Sequence, residues 1–224
     1  INGKFEKTTW EKAYDVLTKK IETVLPDKIA GITGDLTDME TIYIVKEFFE
    51  KTIKSPNIDC RADHVYVDNS NRSNYIFNPT INGIEQSDLI LIIGANPRYE
   101  ATMLNTRIRK SYLNNDLQIF SYGDVGDLTY PYKILPNNTS EIKALINGES
   151  ELSKKIILAK KPIVIFGQSF FKLKSSQTLF HQLNNFLKSN DKINEEWNAI
   201  GVISNNSSTV GAYDLDLISS ENNR

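Results

Sequence analysis

Cysteine is nearly missing from this sequence: Cys60 is the only one among 224 residues. An internal disulfide needs two thiols and an iron-sulfur cluster about four thiolates, so this chain cannot form either one alone. Long apolar runs are missing too, because stretches such as Leu89–Ile93 and Ile163–Phe166 are far shorter than the roughly 20 residues that cross a bilayer. The sequence therefore argues against a disulfide-built fold and predicts no insertion into a membrane.

An excess of either charge is missing as well. The chain has 26 basic and 28 acidic residues, with a formal net charge of -2, and the basic residues are spread along its length. Proteins that bind nucleic acid usually gather basic residues into a patch or stripe. We therefore expect no nucleic-acid partner.

The signatures of common enzyme classes are also lacking. There is no Gly-x-Ser-x-Gly elbow, no P-loop and no His-Glu-x-x-His, which would indicate hydrolases, NTPases and zinc proteases. His64 and His181 have no Cys, Asp or Glu at a metal-ligand spacing, so structural roles are expected for both. The chain starts at Ile1 without a basic segment and an apolar stretch, so we expect no signal peptide and a fragment of a longer polypeptide.

What the sequence does have is the composition of a globular protein, 40% hydrophobic and 24% charged. Its length allows one large domain or two lobes. Short apolar runs alternate with amphipathic segments, and this alternation predicts an α/β fold with mainly parallel sheets and flanking helices. The predicted strands are 28–34, 88–94, 117–122, 162–167 and 199–203, the predicted helices are 10–25, 39–53, 101–113, 141–146, 152–159 and 177–187, and 61–82 is expected to be a long loop.

The clearest candidate site is the end of the strand 88–94 and the turn that follows it. In parallel α/β sheets, ligands bind beside the carboxyl ends of strands. Gly94 allows a tight turn, Asn96 suits the cap of the next helix and Pro97 its first turn, which would leave amide donors free for a phosphate. The alternative is that these residues only end a strand and begin a helix, because one glycine is far from a dinucleotide fingerprint.

Basic residues surround the helix that follows this turn. They are Arg98, Arg107, Arg109 and Lys110. Arg107 and Lys110 are three residues apart and so share one helix face. The group would suit an anionic ligand or a partner subunit; the alternative is a solvated helix face on which Glu100 offsets part of the charge.

Longer stretches of the sequence are similar to one family, in the same order along nearly the whole chain. They are Thr9-Trp10-Glu11-Lys12-Ala13, Asn57-Ile58-Asp59-Cys60-Arg61, 72–83, 88–101, 105–110, Asp127-Leu128-Thr129-Tyr130, 159–162 and 208–215. Together they are much more specific than any single motif. On these segments the chain resembles the molybdopterin-oxidoreductase-like domain of the large iron-sulfur subunit of respiratory NADH:quinone oxidoreductase (complex I).

The resemblance implies two Rossmann-like α/β lobes, one inserted in the other. We therefore expect residues 1–75 and 151–224 to form the first lobe and residues 76–150 the inserted second lobe. In active members of the wider superfamily a bis-pterin molybdenum cofactor lies between the lobes. The resemblance thus implies a vestigial pterin or phosphate site at Gly94, Asn96 and Arg98, and we expect side chains to narrow or block the crevice between the lobes.

Active relatives bind molybdenum through a Cys, selenocysteine or Ser a few residues after the Asn-x-Asp turn. Here that stretch is Ala62-Asp63-His64-Val65-Tyr66, which offers none of these ligands, and Cys60 comes too early. The resemblance therefore implies a domain that has lost the cofactor and has no catalytic residue or metal site of its own. The family's 2Fe-2S and 4Fe-4S clusters are bound by cysteines in a region that would precede Ile1.

Three functions are compatible with these observations. The first is a non-catalytic scaffold in complex I, which transfers electrons from NADH to quinone and couples this to proton translocation. Its partners would be other subunits of the peripheral arm, at the cytoplasmic face of the bacterial inner membrane or on the mitochondrial matrix side. The second is a fragment of an active molybdopterin-dependent oxidoreductase, and the third is a small nucleotide-binding module that uses the turn at Gly94.

Overall fold

The fold alternates strands and helices as the sequence predicts. The computed structural model describes residues 3–61, 65 and 67–218. No helix in these ranges is long and apolar enough to cross a membrane. The strands are β1 (Gly31–Ile32), β2 (Ile58–Asp59), β3 (Leu89–Ile93), β4 (Gln118–Tyr122), β5 (Lys133–Leu135), β6 (Pro162–Phe166) and β7 (Ile200–Val202). The helices are α1 (Trp10–Thr23), α2 (Met39–Glu47, continued by a π-helix over Phe48–Ile53), α3 (Thr80–Gly83), α4 (Pro97–Glu100), α5 (Thr102–Asn114), α6 (Thr139–Ile146), α7 (Glu151–Leu158), α8 (Gln168–Phe171), α9 (Ser176–Ser189) and α10 (Thr209–Asp214).

The chain divides into two compact units. The first unit joins Ile1–Ala62 to Gly211–Arg224, and the second unit is the continuous stretch Asp63–Val210. These boundaries differ from the predicted lobes, which grouped residues 1–75 with 151–224 and confined the insertion to 76–150. The difference arises because β6 and β7 are hydrogen-bonded into the same sheet as β3 and β4. Residues 151–210 therefore lie in the second unit.

The second unit is built on a five-stranded parallel sheet in the order β5-β4-β3-β6-β7. β3 is the central strand, and each of its residues from Leu89 to Ile93 is buried. The prediction of a strand covered on both faces is confirmed. Ile90 lies beside Ile119 on one side and Ile163 on the other, and burying each such side chain stabilises the fold by roughly 1.5–3 kcal/mol.

The path of the chain through this sheet reverses once. From β3 the chain passes to β4 and β5 on one side, and it then crosses to the other side of β3 for β6 and β7. In doubly wound sheets, ligands bind outside the carboxyl ends of the strands where the order reverses. That switch point lies here between β3 and β6, directly after Ile93 and Phe166.

The first unit has a much smaller core. β1 and β2 pair in parallel over two residues each, and the buried residues around them are Ile42, Phe49, Ile53, Ile58, Ala212 and Leu217. The strand predicted over 28–34 is therefore shorter than expected, and Ile32 is exposed rather than buried. α1 begins at Trp10 as predicted, and its cap is Thr9, whose hydroxyl accepts the Lys12 N–H at 3.4 Å.

Candidate functional site

The three predicted site residues lie together at the carboxyl edge of the five-stranded sheet. Gly94 directly follows β3, Asn96 is the cap of α4, and Arg98 lies in its first turn. Two other loops reach this edge: the one after β4, which includes residues 123–130, and the turn after β6, which continues into α8. The site is therefore built entirely within the second unit.

The loops after β3 and β6 touch at the switch point. Gly94 has φ +61°, and a Cβ on it would lie 2.6 Å from the Phe170 nitrogen. A Cβ on Gly167 would lie 2.3 Å from the Gly94 carbonyl oxygen. The Gly167 N–H also donates to the Ile93 carbonyl at 3.0 Å, which continues the sheet ladder past the strand end. The glycines thus permit close packing of one loop on the other, and the switch point has no room for a methyl group at either position.

Aromatic side chains hold the α8 side of this contact in place. Phe170 and Phe171 are buried, and both pack against Phe166 with ring centroids 5.0 and 6.1 Å away. Phe180 from α9 lies 5.1 Å from the Phe166 ring. Because four rings interlock, moving Phe170 away from Gly94 would disturb a well-packed core.

Asn96 performs the capping role that the sequence predicted. Its side-chain oxygen accepts the Arg98 N–H at 3.1 Å, and its amide group donates to the Val125 carbonyl at 2.8 Å. Its backbone N–H is not free for a ligand, since it donates to the Glu100 carboxylate at 2.7 Å. The other Glu100 oxygen is buried without a hydrogen-bond partner among the described residues. A carboxylate of the protein thus occupies the position at which an anion would accept this amide.

Arg98 is bonded to the loop that follows β4. Its guanidinium donates to the Asp127 carbonyl at 2.8 Å and to the Asp127 carboxylate at 2.6 Å. The Thr129 N–H and the Arg98 guanidinium together lower the pKa of Asp127. Arg98 therefore links α4 to this loop through hydrogen bonds and an ion pair.

The predicted cationic group is divided between two acidic partners. Whereas Arg98 pairs with Asp127, Arg107 and Lys110 both bind Glu85, with Lys110 at 2.9 Å from each carboxylate oxygen. These two cations lower the pKa of Glu85. Arg109 lies exposed on α5. The alternative of a solvated face is thus partly right, but the compensating acids are Glu85 and Asp127 rather than Glu100.

The same edge also holds a buried polar network that the sequence alone does not predict. The Asn105 side chain donates to the Leu128 carbonyl at 3.0 Å and accepts the Tyr130 hydroxyl at 2.7 Å. Burial raises the pKa of Tyr130, so its hydroxyl stays protonated and donates. Both residues lie in segments singled out by the resemblance, 105–110 and 127–130, but nothing in either segment shows that they meet.

The histidines and the cysteine are not among the residues of this edge that the structure describes. His181 Nε2 on α9 is 3.2 Å from the Asp68 carboxylate, which also accepts the Asn74 amide at 2.9 Å. His64 and most of the predicted ligand-free stretch 62–66 lie outside the described residues. Cys60 is half-buried in the first unit, where its N–H donates to the Leu217 carbonyl. Where the structure describes the chain, no cluster of three or more His, Cys, Asp or Glu side chains could hold a metal ion.

Two clefts of the second unit lie elsewhere on its surface. One of about 490 Å³ runs between α6 and α9 and is lined by Lys143, Ile146, Asn147, Gln182, Asn185, Phe186 and Ser189. A second, of about 360 Å³, lies at β4 and β5 beside Lys155. Neither includes Gly94, Asn96 or Arg98, consistent with the tight packing of the switch point.

Three curated relatives align with nearly the whole chain. The NADH-ubiquinone oxidoreductase 75 kDa subunit of Reclinomonas americana is 32% identical over 229 residues, covering 96% of this chain and 33% of the relative. NADH dehydrogenase (ubiquinone) iron-sulfur protein 1, mitochondrial, of Solanum tuberosum is 28% identical, covering 97% and 29%. The mitochondrial NADH-ubiquinone oxidoreductase 78 kDa subunit of Candida albicans is 34% identical, covering 96% and 30%. The chain spans about a third of the length of these relatives.

The family model for molybdopterin oxidoreductase matches residues 1–223. An anionic group of a molybdopterin cofactor would need free donors and open space at the strand ends. At this edge Gly94 is packed on Phe170, the Asn96 N–H is bonded to Glu100, and Arg98 is bonded to Asp127. These residues as folded do not fit that group. The fold and the full-length match nevertheless agree, and the chain belongs to the molybdopterin oxidoreductase family.

Proposed function

We propose that this chain is a non-catalytic scaffold domain of the large iron-sulfur subunit of an NADH:quinone oxidoreductase. The transfer of electrons from NADH to quinone, coupled to proton translocation, would be the activity of the whole complex. The names of the relatives support this assignment, since they include a 75 kDa subunit, an iron-sulfur protein and a 78 kDa subunit of such oxidoreductases. The family match supports membership of the molybdopterin oxidoreductase family. The tight packing and paired donors of the candidate site support the scaffold role.

The closed switch point is the observation that carries the non-catalytic part of the proposal. A doubly wound sheet that binds a ligand keeps the carboxyl edge open at this position. Here the loops of Gly94 and Gly167 are packed against each other, and the Glu100 carboxylate takes the Asn96 N–H. We therefore infer that Gly94, Asn96 and Arg98 are a vestigial pterin or phosphate site whose donors now stabilise the fold.

The iron-sulfur clusters would be bound outside these residues. One cysteine cannot ligate a 2Fe-2S or 4Fe-4S cluster, which takes about four thiolates. In a protein of the relatives' length, the cysteines would lie in the region that precedes Ile1. The partners would be other subunits of the peripheral arm, at the cytoplasmic face of the bacterial inner membrane or on the matrix side of a mitochondrion. The expected narrowing of the crevice between two lobes stays a prediction.

Purification of the full-length polypeptide with its native assembly tests the proposal. We expect it to co-purify with NADH:quinone oxidoreductase activity and to contain molybdenum far below one atom per polypeptide by elemental analysis. A known molybdenum enzyme prepared in parallel controls for loss of metal. An Arg98→Ala variant that assembles is expected to keep the activity, because the Arg98 guanidinium is paired with Asp127 of the same chain. Stoichiometric molybdenum would overturn the scaffold assignment.

The family match supports one alternative, a fragment of an active molybdopterin-dependent oxidoreductase. Stoichiometric molybdenum, lost in Asn96→Ala or Arg98→Ala variants, would favour this alternative. The nucleotide-binding module is tested separately by calorimetric titration with NADH, FAD and guanine nucleotides. We expect no heat of binding, because the turn at Gly94 offers a nucleotide phosphate neither a free Asn96 N–H nor space.

A further inference from the structure

Asparagine followed by glycine occurs three times in the sequence, as Asn2-Gly3, Asn82-Gly83 and Asn147-Gly148. In such a pair the backbone nitrogen of the glycine can attack the asparagine side chain, because a glycine has no Cβ to hinder the approach. Asn2 lies outside the described residues, and the other two pairs have different surroundings. A comparison of these surroundings indicates which asparagine is open to the reaction.

The pair Asn147-Gly148 forms the carboxyl-terminal cap of α6. Asn147 is the cap residue, and Gly148, with φ +77°, follows it. The Gly148 N–H donates to the Leu145 carbonyl at 3.1 Å, and the Glu149 N–H donates to the Ala144 carbonyl at 2.9 Å. These two bonds are those of a Schellman motif, in which a glycine in the left-handed region follows the end of a helix. The Gly148 nitrogen is thus bonded to the last turn of its own helix.

This cap can open without moving the rest of the second unit. Helix ends fray, and the local opening of an exposed segment costs far less free energy than global unfolding. Asn147 is exposed, and a Cβ added to Gly148 would meet no described atom within 4 Å. The Asn147 side chain makes a long hydrogen bond, from its amide to the Glu149 carboxylate at 3.5 Å. Opening of the last turn therefore releases both reacting groups.

The pair Asn82-Gly83 is held by the core of the second unit instead. It lies in α3, which continues directly into a 3-10 helix over Ile84–Gln86. Gly83 is buried, and its N–H donates to the Thr80 hydroxyl at 3.2 Å. A Cβ on Gly83 would lie 3.4 Å from the ring of Trp197, which is itself buried. Although Asn82 is exposed, moving the Gly83 nitrogen would disturb close-packed structure.

We propose that Asn147 is a site of spontaneous chemical modification, at which the asparagine is converted to aspartate and isoaspartate. The Gly148 nitrogen bonds to the Asn147 Cγ, the bond from Cγ to Nδ2 breaks, and the proton of the Gly148 nitrogen leaves with the side-chain amide as ammonia. Water then opens the resulting succinimide ring. Attack at one ring carbonyl gives aspartate, and attack at the other gives isoaspartate, in which the backbone runs through the former side chain. Water is the only co-reactant.

Either product changes the end of α6. The last carbonyls of a helix carry partial negative charge, so a carboxylate at this end is unfavourable. Isoaspartate also lengthens the backbone before Gly148, which disrupts the geometry of the Schellman motif. Asn147 and Lys143 both line the cleft between α6 and α9. The modification therefore loosens the cap of α6 and brings a negative charge to the lining of this cleft.

Ageing of the full-length polypeptide in its native assembly, at neutral pH and physiological temperature, tests the proposal. Trypsin releases Asn147 in the peptide 144–154 and Asn82 in the peptide 73–98. Fragment masses then follow the mass gain of deamidation at each residue. Methyl transfer from S-adenosylmethionine by an isoaspartyl methyltransferase measures isoaspartate in the peptide 144–154. We expect Asn147 to react at least about tenfold faster than Asn82, because a helix cap opens more readily than a packed core.

The same polypeptide unfolded in urea is the control. Both pairs are then exposed to solvent in an unfolded chain, and we expect the two asparagines to react at similar rates. In the folded protein, a rate at Asn82 that equals or exceeds the rate at Asn147 would contradict the proposal, as would the absence of reaction at Asn147. A preference for Asn147 that stays as large in urea would contradict it too, because the neighbouring sequence rather than the helix cap would then decide the rate.

An aspartate substitution measures the effect of the product on the cap. Asn147→Asp is compared with Asn185→Asp, which adds the same charge to the same cleft but within α9. We expect Asn147→Asp to speed hydrogen exchange of the Gly148 and Glu149 amides by roughly two- to fivefold, because a carboxylate at a helix carboxyl terminus is unfavourable. We expect no change at these amides with Asn185→Asp. Equal exchange in the two variants would contradict the loosening of the cap.

Discussion

Replacing Gly94 with alanine tests whether the loops after β3 and β6 are tightly packed on each other at the switch point. Gly94 has φ +61°, a conformation that costs a residue with a Cβ about 1–2 kcal/mol. The new methyl group would also lie 2.6 Å from the Phe170 nitrogen and 2.9 Å from its Cβ, and overpacking of this kind costs about 1–3 kcal/mol. We therefore expect Gly94→Ala to lower the free energy of unfolding of the second unit by about 2–5 kcal/mol.

Gly126→Ala is the matched control for this substitution. Gly126 also has a positive φ, +76°, and belongs to a loop at the same edge, but a Cβ added there would meet no other atom within 4 Å. Its replacement should cost only the backbone strain, about 1–2 kcal/mol. The difference between the two variants isolates the packing of Gly94 on Phe170.

Urea unfolding followed by Trp197 fluorescence measures both variants. Trp197 is buried in the second unit, and its indole N–H donates to the Pro162 carbonyl at 2.9 Å, so its emission reports on this unit. A Trp10→Phe background removes the other tryptophan, which lies in the first unit. The unfolding midpoint and slope then give the free energy of unfolding. Equal losses for Gly94→Ala and Gly126→Ala would refute the close packing of Gly94 on Phe170.

Three further predictions concern the polar contacts of the second unit and use the same urea assay. Asn105→Leu leaves a buried carbonyl and the Tyr130 hydroxyl without partners, so we expect a loss of about 2–4 kcal/mol, against about 1 kcal/mol for Tyr130→Phe. Asp88 accepts the backbone N–H groups of Lys160 and Lys161 at 2.6 and 3.0 Å. Asp88→Ala should therefore cost about 1–3 kcal/mol, and Asp88→Asn less because it keeps one acceptor. Lys110 and Arg107 lower the pKa of Glu85 below its ordinary 4.5, so the stabilisation is present at neutral pH and is lost as the pH falls through the folded-state pKa. Glu85→Gln should accordingly be less stable than the parent at neutral pH and equally stable well below that pKa, whereas a difference that persists in acid would contradict the ion pair.

Much of the local structure follows from short stretches of sequence. β3 and β6 are continuous apolar runs, and such runs are typical of strands covered on both faces of a parallel sheet. Asn96 and Pro97 begin a helix as their side chains predict. The strand β5 was missed because Lys133–Leu135 is three residues long with exposed positions. Too few residues repeat there for a period to be recognised.

The boundary between the two units depended on pairing that no local pattern contains. β6 is far from β3 along the chain, and its place beside β3 is decided by hydrogen bonds and side-chain packing across the sheet. The sequence prediction followed the resemblance and assigned 151–224 to the first lobe. The register of β3 with β6 instead places residues 151–210 with the central sheet.

The sequence by itself determined the α/β class, the family resemblance and the inability of one cysteine to hold a cluster, because these depend on composition, periodicity and the order of motifs. Only the tertiary structure decided what the candidate site does. The turn at Gly94 could have offered its donors to an anion, but Glu100 accepts the Asn96 N–H, Asp127 pairs with Arg98, and Phe170 fills the space over Gly94. Which groups meet depends on distances in the folded chain. Asp127 and Phe170 belong to other loops than Arg98 and Gly94, the residues that they contact.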